Sequence, residues 1–146
     1  MKQVVSIDIT KLSTKSERMS VKLDGTVRGI VDVACNEWPL IPALLMLGFD
    51  SVVLVDECGR ESRFTTTDLL RSNPVFFDGQ HAQSRGRVEL RYRWSEPLEE
   101  YRIDVRRNGV RVPSSVEARL NFATLRVVLV QLGFSIGHIQ ELAQAA

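Results

Sequence analysis

The chain has little of what marks a metal, redox or membrane protein. It holds two cysteines in 146 residues, Cys35 and Cys58. They form no C-x-x-C pair and no histidine stands beside either, so neither a zinc site nor a thiol–disulfide motif is indicated. The N-terminus is not signal-like, and reduced thiols in the cytoplasm are expected. The longest apolar run, Trp38 to Phe49, is twelve residues with two prolines, too short to cross a bilayer as a helix. Histidine is equally scarce. His81 lies in a polar loop near Asp78, where a lone histidine is seldom a base or ligand. His138 has no acidic or cysteine neighbour at ligand spacing. No G-x-S-x-G elbow occurs. Asp56, Glu57 and Glu61 flank a turn without the alternating oxygen ligands of a calcium loop. No metal, no cofactor and no membrane association are expected.

A surplus of charge of either sign is missing too. The formal net charge is +1, with 44% hydrophobic and 25% charged residues, an ordinary globular composition. No low-complexity linker divides the chain, so residues 1–146 are expected to form one domain. The charge is uneven, however. Residues 1–84 carry nine Lys/Arg against eleven Asp/Glu (−2), and residues 85–146 carry ten against seven (+3), all ten being arginine. Arginine suits planar or anionic partners better than lysine does.

What the sequence does contain is period-two alternation. Val4 to Thr10 reads as a strand, and Val21-Lys22-Leu23, Asp24-Gly25 and Val27 as a hairpin. A three-residue loop would pair Leu23 with Val27 and Lys22 with Arg28, keeping apolar with apolar, and is preferred on that ground. A helix is expected from Pro39 to Leu47, closed by Gly48. Val52 to Val55 reads as a central strand, Ser62 to Thr66 as its partner after a Cys58-Gly59 turn, and Thr67 to Leu70 as a capped helical turn. Residues 78–86 form the clearest loop, with Asp78, His81 and Arg85 as loop candidates for a site.

The strongest signal is Arg87 to Trp94. Val88, Leu90, Tyr92 and Trp94 point one way, and Arg87, Glu89, Arg91 and Arg93 the other. Tyr101 to Arg106 repeats the alternation after Glu96-Pro97. Facing Trp94 with Tyr101 pairs Tyr92 with Ile103 and Leu90 with Val105. It also pairs Arg93 with Arg102, Arg91 with Asp104, and Glu89 with Arg106, leaving only Arg93–Arg102 uncompensated unless Glu99 or Glu100 reaches it. The three aromatics share the apolar face and are expected in the core. Arg91, Arg93, Arg102, Arg106 and Arg107 are the candidate partner-binding residues.

Asn108-Gly109 marks a turn into Val110-Arg111-Val112. A helix is expected from Ser114 or Ser115, with Glu117 in a capping box and Leu125, Val128, Leu129 and Leu132 inward. Val127 and Val130 would make it buried on most sides. After Gly133, Ser135 caps a last helix striped by Ile136, Ile139 and Leu142. Gly25 to Phe49 and Gly109 to Phe134 both run from a turn glycine to a helix ending Leu-Gly-Phe, with lengths equal within one residue. Convergent capping accounts for this more simply than a pseudo-duplication. Leu129 to Leu142 resembles a short stretch of MerR-type regulators, in which L-G-F-S precedes a helix ending I-x-E-L, and the L-G-F turn of ubiquitin-associated domains. The likeness spans fourteen residues and no function follows from it.

The expected fold class is therefore α+β: antiparallel hairpins packed against a short central helix and two C-terminal helices. The leading functional expectation is a non-enzymatic protein–protein interaction module, such as an inhibitor, adaptor or regulatory partner of a larger assembly, of the kind phages and mobile elements encode. Its partner would be a protein, with an acidic surface favoured. The alternatives are a nucleic-acid-binding module using the arginines of residues 85–111, and a small enzyme whose His81, Asp78 and Asp56 converge only in three dimensions.

Overall fold

The computed structural model describes residues 2–34, 39–79, 84–112, 116–117 and 122–142. Among the described residues strand accounts for 52% and helix for 17%, with the strands in two mixed sheets. The expected α+β class is thus corrected to a mostly β fold.

Strands β1 (Val4–Lys11), β2 (Ser16–Leu23) and β3 (Thr26–Ala34) form a meander. Alternation places Val5, Ile7 and Ile9 of β1 inward beside Met19 and Val21 of β2. The β2–β3 turn differs from expectation. It has two residues, Asp24 (φ 49°) and Gly25 (φ 81°), and pairs Lys22 with Val27. The mixing of faces is undone one step later by a bulge at Arg28, after which Val21 meets Gly29 and Met19 meets Val31. The bulge turns Arg28 inward, leaving its side chain 8% exposed.

Helix α1 (Leu40–Met46) follows, with Pro39 at its N-cap. Its end is set by Gly48 at φ 106°: the Gly48 amide donates to the Leu45 carbonyl and that of Phe49 to Leu44. This is a Schellman motif, which needs a residue without a Cβ penalty at that left-handed position. Then come β4 (Ser51–Val55), β5 (Glu61–Thr65), α2 (Thr66–Arg71) and β6 (Phe76–Phe77). The second part holds β7 (Arg87–Ser95), β8 (Glu100–Arg107), β9 (Val110–Arg111), β10 (Val116–Glu117), α3 (Phe122–Gln131) and β11 (Ser135–Leu142). Helix α3 starts later than expected. Glu117 lies in a strand pair opposite Arg102, and the proposed caps Ser114 and Ser115 lie outside the described residues. Leu125, Val128, Leu129 and Leu132 are buried as expected, whereas Val127 and Val130 are exposed, so α3 has one free face.

The C-terminal segment is the largest correction. Residues 135–142 are a strand, β11, paired parallel to β1, where a last helix was expected. Opposite β11 the register shifts between Val5 and Ser6: Val5 meets Ile136, but Ser6 meets His138, so Gly137 is the extra residue of a bulge. An extra residue puts Ile136 and Ile139, three apart, on one side beside Val5 and Ile7. Three-residue spacing is also the mark of a helix face, and the bulge imitates it. The resemblance of this tail to a capped helix ends here.

The sheets run β11-β1-β2-β3-β6 and β10-β8-β7-β4-β5, with β9 also on β8. The two Leu-Gly-Phe corners are alike in space, for Gly133 donates to Val130 and Phe134 to Leu129 in the second Schellman motif. Each corner sends the next strand across to the other sheet. There β4 pairs parallel with β7, and β11 with β1. Phe49 and Phe134 meet edge to face at 6.4 Å, both buried, in a core that draws on both sheets, α1 and α3.

Candidate functional site

The β7–β8 hairpin has the expected register at every pair, from Leu90–Val105 to Trp94–Tyr101. Its inward residues Val88, Leu90, Ile103 and Val105 are fully buried. The neighbouring strand β4, however, ends with Val55 opposite Arg91. The hairpin runs on beyond that neighbour from Tyr92, and past the Tyr92–Ile103 pair, which still packs on the core, its apolar face is uncovered. Trp94 and Tyr101 are therefore 43% and 45% exposed, not core, and Leu98 in the connecting turn is 57% exposed. The two rings meet edge to face at 5.0 Å. A hydrogen bond to Glu57 in the β4–β5 turn, with the charge of that carboxylate, pushes the Tyr101 phenol above its ordinary value. Burial does the same for Tyr92. Glu96 and Glu99 fringe this tip.

The outer face of the hairpin gathers charges in two groups. Glu89, with its side chain 13% exposed, stands among Arg91 (3.3 Å), Arg87 (3.6 Å) and Arg106 (3.7 Å). Asp104 lies between Arg93 (2.9 Å) and Arg111 (3.2 Å). Arg91 thus turns to Glu89 instead of its cross-strand neighbour Asp104, and Glu100 reaches Arg102 at 3.2 Å. Arg87, Glu89, Arg91, Arg106, Asn108 and Gly109 line a pocket of 360 Å³. The Asn108 side chain accepts from the Arg87 amide at 2.9 Å and holds one wall in place.

Arg85 and Arg107 sit elsewhere, where they hold the fold. Arg85 Nε donates to the Leu47 carbonyl at 2.6 Å, and Arg107 Nη1 donates to the Leu132 carbonyl at 3.2 Å. Each guanidinium thereby satisfies a carbonyl at a helix C-terminus, where the helix dipole favours a cation. They also lie crosswise over the core rings, Arg85 over Phe134 at 4.9 Å and Arg107 over Phe49 at 5.4 Å. Burial, followed by the like charges of Arg107 and Arg28, lowers the Arg85 pKa. Asp78 lies 3.9 Å from Arg28 and closes the sheet edge through its amide on the Arg28 carbonyl. His81 lies outside the described residues, so its meeting with Asp78 has no structural account.

Of the other sequence candidates, Asp56 accepts from the amides of Cys58 (2.9 Å) and Arg60 (2.8 Å), which commits its Oδ1 to the turn. His138 does have an acidic neighbour in space. Its Nε2 lies 2.9 Å from Asp8 Oδ1, and Gln140 donates to the same oxygen at 2.8 Å. Burial opposes ionisation of Asp8, but hydrogen bonds from Gln140 and His138 and the charges of His138 and Lys22 outweigh it, so its pKa is lowered. Sequence reasoning missed this group because β1 and β11 meet only through the fold. It did not single out Glu89, and it reached Arg87 and Arg111 only as part of the arginines of residues 85–111, although the alternation places Arg87 and Glu89 on the arginine face. An apolar groove of 420 Å³ lies between β3, α1 and α2, and the Asp32 on its rim is held by Arg18 at 2.7 Å.

Among the described residues, no three His, Cys, Asp or Glu side chains gather as a metal site, and no helix is long and apolar enough to cross a membrane. Comparison with known proteins finds no family model, curated protein or solved structure that matches the chain.

Proposed function

We propose that the chain is a non-enzymatic protein-interaction module, an inhibitor, adaptor or regulatory partner that docks through the overhanging tip of the β7–β8 hairpin. The observation that carries this reading is the joint exposure of Trp94, Leu98 and Tyr101 on one short projection. Large aromatic side chains on a rigid support are what dominate binding energy at protein interfaces, because they bury much apolar area at small cost in side-chain entropy. The hairpin supplies the support, since its lower half is anchored in the core by Val88, Leu90, Ile103 and Val105. A partner would offer an apolar pocket for Trp94 and Leu98. The preference for an acidic partner weakens, because Asp104 and Glu100 already pair Arg93 and Arg102 within the chain and glutamates fringe the tip. The free, exposed Cys58 thiol suits a reducing compartment, and we place the module in the cytoplasm.

The test is affinity capture from source cells with the native chain and with the triple variant Trp94→Ser, Leu98→Ser, Tyr101→Ser. The variant is expected to keep its fold, losing no more than about 1 kcal/mol, mainly from the lost ring pair. It should fail to recover a protein that the native chain retains. Recovery of the same proteins by both would refute docking through the tip.

A further inference from the structure

We propose that the pocket among Arg87, Arg91 and Arg106 binds the phosphoryl group of a small phosphorylated molecule. This site is on the face opposite the aromatic tip and stands independently of tip docking. Three guanidiniums surround the single carboxylate of Glu89, at 3.6, 3.3 and 3.7 Å, which leaves two positive charges uncompensated at one spot. A phosphate monoester, which carries close to two negative charges near neutral pH, matches that remainder.

The hydrogen-bonding ledger points the same way. The Nε atom of Arg91 is buried with no hydrogen-bond acceptor, and that of Arg106 has only Glu89 Oε2 near it, at 3.7 Å and beyond hydrogen-bonding distance. A buried donor without a partner costs about 1–3 kcal/mol, so such atoms are rare unless something outside the chain satisfies them. A guanidinium presents its N–H groups as a planar fork that fits the oxygens of a phosphoryl group in pairs. Glu89 cannot satisfy all three forks, but it holds them around one space, and that space is a 360 Å³ pocket. This volume falls at the small end of ligand clefts and exceeds what bare phosphate needs.

Compactness argues for a small molecule over a polynucleotide. A nucleic-acid surface needs a track of free cations matching successive phosphates. Here the other outer-face arginines of β8, β9 and the end of β7 have carboxylate partners: Arg93 and Arg111 share Asp104, and Arg102 meets Glu100.

The experiment is calorimetric titration of the full chain at low ionic strength with inorganic phosphate, pyrophosphate and a short single-stranded oligonucleotide. Amide shifts in nuclear magnetic resonance locate the site. Phosphate or pyrophosphate is expected to bind one to one in the millimolar range or tighter, with shifts centred on residues 87–91 and 106–109. The double variant Arg91→Gln, Arg106→Gln should weaken binding at least about tenfold. Arg87→Gln, which alters a rim side chain 41% exposed, should weaken it as well and serves if the double variant folds poorly. Glu89→Gln should tighten binding, since it removes the competing anion. No saturable binding of either anion at millimolar concentration, or binding unchanged in the arginine variants, would overturn the proposal. Oligonucleotide binding at these residues, about tenfold or more tighter than pyrophosphate, would replace it with a nucleic-acid site.

Discussion

Arg93 and Asp104 meet at 2.9 Å on the outer face of the hairpin, and Asp104 is only 8% exposed. Charge reversal at Arg93 would set a second carboxylate against one that is already out of water. Arg93→Glu is therefore expected to destabilise the fold by about 1–2 kcal/mol in urea denaturation, because Asp104 is buried although Arg93 is 42% exposed and Arg111 remains beside the carboxylate. The triple tip substitution should cost no more than about 1 kcal/mol. The contrast separates an arginine that holds the sheet from side chains whose apolar surface faces solvent. Asp8 gives a residue-scale test in pH. Its folded pKa is lowered, so its stabilising effect is complete above the ordinary carboxylate range, about pH 4, and is lost as pH falls through the lowered value. Asp8→Asn should cost about 1 kcal/mol at neutral pH, and its deficit relative to the native chain should shrink as denaturation curves are repeated toward pH 3.

At the scale of elements, two bulges decide what the sequence could reveal. The β7–β8 hairpin was legible pair by pair, because its alternation runs unbroken from Val88 to Trp94 and from Tyr101 to Arg106. The β2–β3 register was not, because pairing that looks unfavourable at Lys22–Val27 is repaired at Arg28, beyond the turn. The β11 strand was misread for a related reason, since its bulge at Gly137 converts a period of two into one of three. That reading has a test of sign. In a helix Gly137→Ala would stabilise by up to about 1 kcal/mol. In the bulge an added Cβ would clash with Ser6 Oγ and lie 3.1 Å from a Val4 methyl. We expect destabilisation of about 1 kcal/mol, read as a lower denaturation midpoint.

Across the whole molecule, the legible part was local and the hidden part was long-range. Helix ends at Gly48 and Gly133 follow from nearby residues, whereas the crossing of β4 and β11 to opposite sheets joins segments far apart in the chain. β4 ends at Val55, where Asp56 closes the turn to β5, while the hairpin runs on past it, so the exposure of Trp94, Leu98 and Tyr101 depends on how far the paired strands reach, which the apolar pattern concealed. The crossing of β11 brings His138 to Asp8. The outer-face arginines were visible as a stripe, but their division into paired Arg93, Arg102 and Arg111 and pocket-lining Arg87, Arg91 and Arg106 depends on which carboxylates the sheet places among them. Amide hydrogen exchange of the chain, alone and bound to the partner it captures, tests the central claim most directly. Docking through the tip predicts new protection concentrated in residues 92–101. Protection confined to the β1–β2–β3 sheet or to the free face of α3, with the tip unchanged, would contradict it.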